Sequence, residues 1–175
     1  MVDAGILDED SRVELIEGEI IEMSPINPPH AGTVAKLTEL FLVRLAGKAI
    51  VTSQNPFTIG DLSEPQPDVI LARYQADYYS RAHPTPQDIL LVVEVSQATL
   101  RYDRGRKVRL YGAAGVPEYW IVNLVDNTLE VYRQPAADGY SLLQKFKPGD
   151  AVAPLAFPDV TLDVAAILPL VEEKK

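Results

Sequence analysis

The 175-residue chain sets 16 Lys and Arg against 25 Asp and Glu, a formal net charge of −9, and contains no cysteine. That length favours one domain, spanning 1–175, whose core needs no covalent or metal staple, and zero Cys excludes disulfide frameworks, iron–sulfur clusters, thiolate zinc sites and cysteine nucleophiles. The two histidines, His30 and His83, are too far apart for a paired-His zinc motif, and neither G-x-S-x-G nor a P-loop is present, which argues against zincins, serine hydrolases and P-loop enzymes.

The segment Met1–Gly5 lacks the basic-then-apolar order of a secretory signal and no apolar run approaches a membrane span, so a soluble, cytoplasmic protein is expected. Eight of the acids fall within residues 1–22. Residues 12–23 mix apolar and acidic positions around Glu17-Gly18 and predict an opening β-hairpin. After the prolines of 25–29, Val34, Leu37, Leu40, Phe41 and Leu45 recur at helical spacing, predicting a helix from about 30 to 46 that ends at Gly47. Strands are predicted over 50–59, 67–72 and 89–95, with 73–88 a short helical or irregular crossover. A second helix is predicted over 103–114, capped by Asp103 and stopped by Gly115-Val116-Pro117. Strands at 119–124 and 129–133 flank the turn pair Asp126-Asn127, short strands follow around 147–150, and the charged end is expected to fray. This order favours an α/β (α+β) arrangement, a mixed β-sheet flanked by helices, with an N-terminal hairpin and a C-terminal β extension.

Glu94 is the anomaly in this pattern, since Ile89–Val95 is otherwise continuously apolar, as in a strand covered on both faces. A buried carboxylate needs a cation or hydrogen-bond donors; the alternative is an exposed strand end paired with an arginine. Asp68, just after Pro67 and before Val69-Ile70-Leu71, is either a turn residue or a second carboxylate that converges on Glu94 if the two strands are neighbours. Two oxygen ligands without a thiolate suit Mg²⁺ or Mn²⁺. Lys107, four residues after Asp103, can approach the pair from the helix. Its neighbours Arg101, Arg104, Arg106 and Arg109 form a basic cluster that reads either as a phosphate-binding surface or as a solvated helix face. Two carboxylates, a divalent ion and a lysine together describe metal-assisted phosphodiester hydrolysis.

Glu14-Leu15-Ile16-Glu17-Gly18-Glu19-Ile20, Met23-Ser24-Pro25, His30, Pro67-Asp68-Val69, Val93-Glu94-Val95-Ser96, Tyr102–Lys107, Leu110-Tyr111 and Ala114–Val122 together resemble the Uma-two group of restriction-endonuclease-like proteins over most of the chain. The resemblance implies the PD-(D/E)XK nuclease fold, with Asp68 and Glu94 as its acidic pair and metal ligands, and DNA as the partner. In that pattern a lysine stands two residues after the second carboxylate, where this chain has Ser96. Lys107 matches the variation in which the lysine has moved to the following helix. Gln97-Ala98 also departs from the residues often found after that serine. Glu14 and His30 belong to the resemblance as accessory site residues, Ser96 stands beside them, and Arg101, Arg104 and Arg106 are the candidates for nucleic-acid contact. The expected protein is thus an Mg- or Mn-dependent endodeoxyribonuclease, and cutting both strands of a duplex would suit a homodimer. The alternative is a non-catalytic nucleic-acid- or protein-binding module on the same scaffold.

Overall fold

A computed structural model of the chain describes residues 12–169; the expectations placed on the two ends, 1–11 and 170–175, lie outside the described residues. Strands β1 (Val13–Ile16) and β2 (Glu19–Glu22) form a separate antiparallel hairpin. Its two-residue turn holds both Glu17 and Gly18 at positive φ, 53° and 82°, the geometry that matches strand twist in a tight hairpin. Helix α1 (Pro28–Arg44) starts at Asn27, whose side-chain Oδ1 accepts the His30 N–H at 3.1 Å. Then come β3 (Ala49–Ser53), β4 (Val69–Arg73) and β5 (Ile89–Ser96). Helix α2 spans 100–113 and contains a π-helical turn at Asp103–Lys107. The chain continues through β6 (Glu118–Asn123), β7 (Thr128–Ala136), β8 (Gly139–Phe146), the short pair β9 (Ala151–Val152) and β10 (Leu162–Asp163), and α3 (Val164–Ile167).

Six strands form one mixed sheet in the order β3-β4-β5-β6-β7-β8. Every neighbouring pair is antiparallel except β5 and β6, the parallel pair that α2 connects, because two parallel neighbours need a crossover. Side-chain alternation along the strands creates two cores. On one face Leu37 and Phe41 of α1 and Leu45 at its C-cap pack with Leu71, Leu91, Val93 and Trp120, joined by Leu162, Val164 and Ile167 from the C-terminal segment. Trp120 is fully buried, its ring centroid 6.1 Å from that of Phe41; truncating such a residue to alanine costs about 3–5 kcal/mol. On the other face Leu110 and Tyr111 of α2 pack with Ile70, Val92, Tyr119 and Ile121.

Several expected boundaries move. The strand predicted over 50–59 ends at Ser53, followed by Gln54 at positive φ and by Pro56, which has no N–H for a ladder. Residues 73–88 contain turns rather than a helix, and they join antiparallel neighbours, so they are no crossover. The second helix starts at Leu100, three residues early, so Asp103 lies inside it and Thr99 holds the capping position without a side-chain hydrogen bond. Beyond Arg133, β7 continues to Ala136 and pairs with the eight-residue β8 where only short strands were expected. Among the described residues no helix is long and apolar enough to cross a membrane.

Candidate functional site

β4 and β5 are neighbours, and Val69 pairs with Val93 at one end of their ladder. One residue further on each strand stand Asp68 and Glu94, which are thereby brought side by side. Both are nearly enclosed, with 7% and 5% exposure, so Asp68 is not a solvent-facing turn residue and Glu94 is not an exposed strand end. Strand alternation turns Glu94 and Ser96 toward α2, away from the Val93 and Val95 side chains on the α1 face. Asp68 Oδ2 accepts the Val95 N–H at 2.8 Å, replacing the ladder bond that the strand end lacks, and lies 3.0 Å from His30 Nε2 in the first turn of α1.

Helix α2 supplies the opposing groups. Lys107 Nζ donates to Glu94 Oε1 at 2.8 Å and lies 3.2 Å from Glu14 Oε2 on β1. The Tyr111 hydroxyl donates to the same Glu94 oxygen at 3.0 Å. Ser96, in the position where the nuclease pattern has its lysine, donates its hydroxyl to Asp103 Oδ2 at 2.6 Å. Glu14 also accepts the Gln66 N–H at 3.3 Å. One buried ammonium therefore stands among the carboxylates Glu14, Glu94 and Asp103, with Asp68 adjacent, and the cluster carries excess negative charge.

That imbalance appears in the proton affinities. Burial raises the Glu94 carboxyl well above its ordinary range; Lys107 opposes the rise, while Asp103, Asp68 and Glu14 add to it. Burial likewise raises Asp103, against Lys107 and the hydrogen bond from Ser96. For Lys107, burial disfavours the charge, but Glu94, Glu14 and Asp103 outweigh it and the amine is raised above the ordinary lysine value. Tyr102, chiefly through burial, is pushed up to about 12, and its ring lies 5.8 Å from the Lys107 amine.

These groups open onto a cavity of about 300 Å³ lined by Glu14, His30, Asp68, Glu94 and Lys107 together with the apolar Ile21, Met23, Pro25 and Ile26. Within it each central carboxylate is one-sided. Among the described residues, Asp68 Oδ2 and Glu94 Oε1 take all the hydrogen bonds, while Asp68 Oδ1 and Glu94 Oε2 take none. No group of three or more His, Cys, Asp and Glu among the described residues is placed to enclose a metal ion. Two carboxylate oxygens nevertheless fit Mg²⁺ or Mn²⁺, which commonly use one or two carboxylates and retain several waters, and a divalent charge would offset the excess negative charge of the cluster.

The arginines of the same helix are engaged elsewhere. Arg104 binds the buried Glu130 on β7 through its Nε, at 3.0 Å to Oε2, and through Nη2, and also reaches Asp126. Arg106 clamps the hairpin, donating to Glu17 at 3.0 Å, to Glu19 at 2.6 Å and to the Ile16 carbonyl at 3.0 Å. Arg101 is exposed and does not line the cavity. The structure thus gathers Glu14, His30, Asp68, Glu94 and Lys107, sets Ser96 beside them with its hydroxyl on Asp103, and leaves Arg101, Arg104 and Arg106 outside. Sequence reasoning missed Tyr111 and assigned Asp103 to a cap. Their positions four residues either side of Lys107 were the available signal.

The model of the family described as "Uma2: Putative restriction endonuclease" matches residues 4–165. A solved structure described as "a putative nuclease belonging to DUF820 from Anabaena variabilis ATCC 29413" superposes with a TM-score of 0.76, covering 94% of each chain at 15% identity, a likeness of fold. No curated protein matches the chain.

Proposed function

Because the chain belongs to the Uma2 restriction-endonuclease family, we propose that it is a divalent-metal-dependent endonuclease that hydrolyses DNA phosphodiester bonds at the Asp68–Glu94–Lys107 cluster. The observation that carries this reading is the pair of one-sided carboxylates facing one cavity beside a buried lysine. Asp68 and Glu94 would hold Mg²⁺ or Mn²⁺ through their free oxygens. Such an ion, when bound, supplies Lewis-acid stabilisation of a phosphoryl oxygen and lowers the pKa of water.

The chain's own groups do the positioning. His30 and the Val95 N–H hold Asp68, while Lys107 and Tyr111 hold Glu94, so neither carboxylate has to reorganise as charge develops on the phosphate. Lys107 stays protonated at Nζ and adds positive charge next to the phosphodiester. Burial of these groups keeps bulk water from weakening their interactions. Plasmid and single-stranded DNA cleavage with Mg²⁺ or Mn²⁺ tests the assignment in the wild type and in Asp68→Ala, Glu94→Ala and Lys107→Ala. Each carboxylate variant should lose at least about a hundredfold in rate. Unchanged cutting in all three would overturn the reading and leave the scaffold as a binding module.

A further inference from the structure

We infer that the cavity takes an unpaired nucleotide of a single DNA strand rather than the backbone of an intact duplex. The inference rests on the nuclease reading above and names its substrate class. Depth is the first observation. Asp68, Glu94 and Lys107 are each 7% exposed or less, and Ile21 of the hairpin and the adjoining Met23 line the cavity with them. The scissile phosphate must therefore descend into a cavity of about 300 Å³, at the lower end of the ~300–1,000 Å³ range of ligand clefts. A duplex holds its phosphates on a stiff helical rail, whereas an unpaired strand can bend one phosphate inward.

Wall chemistry is the second. The apolar residues Ile21, Met23, Pro25 and Ile26 line the same cavity as the charged groups, as does the half-buried Tyr102. Phosphate contacts need cations and carry no use for such a wall; the faces of an unstacked base and its sugar do. Charge is the third. Tight duplex binding rests on several Lys and Arg contacts to phosphates. Here Arg104, Arg106 and Lys107 are already paired with Glu130, Glu17, Glu19, Glu94 and Glu14. Among the described residues that line the cavity the further cation is Arg12, which donates to the Ser24 carbonyl at 3.3 Å. Within the cavity one or two phosphates can be met in this way, fewer than a duplex footprint uses.

The test uses wild-type protein with Mn²⁺ and two substrates without ends, a circular single strand and a covalently closed duplex circle of the same sequence, plus an abasic and a base-bearing single-stranded oligonucleotide of equal length. The single-stranded circle should be cut at least tenfold faster than the duplex circle, and KM should be at least fivefold lower for the base-bearing than for the abasic strand. Equal or faster cutting of the duplex circle overturns the inference while sparing the nuclease reading. Equal KM values for the two oligonucleotides remove the base from the cavity wall and overturn the inference as well. No cleavage of any substrate overturns the nuclease reading, and this inference falls with it.

Discussion

At Asp68 and Glu94 the backbone and neighbouring side chains consume one oxygen of each carboxylate and, among the described residues, leave the other free. Calorimetric titration of the wild type with Mn²⁺ should show saturable binding that disappears in Asp68→Ala. At a free ion concentration of 100 times Kd, binding confined to the folded state stabilises it by about 2.7 kcal/mol, read as a rise in Tm. Glu94 makes a prediction with a definite sign. Its carboxyl is raised in the folded protein, so between the ordinary value of about 4.3 and the raised one the folded chain binds more protons than the unfolded chain. Stability contributed by this group therefore declines as pH rises through that window. In chelator, urea unfolding of the wild type relative to Glu94→Gln should shift against the wild type from pH 4.5 to 7. A shift in its favour would mean that Lys107 and Tyr111 compensate the buried charge fully. Glu94 was legible in the sequence as a carboxylate inside an apolar strand, and Asp68 became legible once the two strands were taken as neighbours. Tyr111 was not, because at helical spacing a tyrosine next to Leu110 reads as core, which most of its ring is: it packs 5.0 Å from Tyr119 and 5.7 Å from Phe57, centroid to centroid.

Elements hold these groups through contacts that periodicity does not report. Helix α2 lies so close to the β7–β8 turn that a Cβ on Gly112 would fall 1.9 Å from the Gly139 carbonyl oxygen. Gly112→Ala should accordingly lower the urea midpoint by an amount equivalent to about 1–3 kcal/mol, the ordinary cost of overpacking; an unchanged midpoint would show that the helix can lift at no cost. Helix α1 and the opening hairpin were readable from spacing and from Glu17-Gly18, since both follow local rules. The start of α2 was not. Asp103 has the chemistry of a cap, but Ser96 draws it into the interior, and the π-helical turn has no one-dimensional signature. The length of β3 was misjudged because Phe57 and Ile59 keep the apolar pattern running past Pro56; Phe57 is buried in the α2-side core, reached by a loop rather than a strand.

Across the whole molecule, a net charge of −9 disfavours association with any polyanion, and the paired arginines do little to relieve it locally. Binding of single-stranded DNA to the Glu94→Gln variant, measured in Mg²⁺-free buffer by fluorescence anisotropy, should therefore show a shallow salt dependence. One or two phosphate contacts correspond to a slope of log K on log salt of about −0.7 to −1.4. A slope of about −5 or steeper would reveal a basic DNA-binding surface outside the cavity. A site serving one unpaired strand also needs no second copy for its chemistry, so sedimentation as a monomer with full activity agrees with this substrate and a dimer-dependent rate does not.

The wide turn at Asp103–Lys107 has a consequence for how the site is held in phase. In a regular α-helix, residues four apart creep about 40° around the axis at each step, so positions 103, 107 and 111 would fan out over some 80°. The looser winding takes back part of that creep, and all three side chains meet the one strand that carries Ser96 and Glu94. Shortening this stretch by a single residue would let the helix rewind, and the strand would then lose its grip at one end or the other.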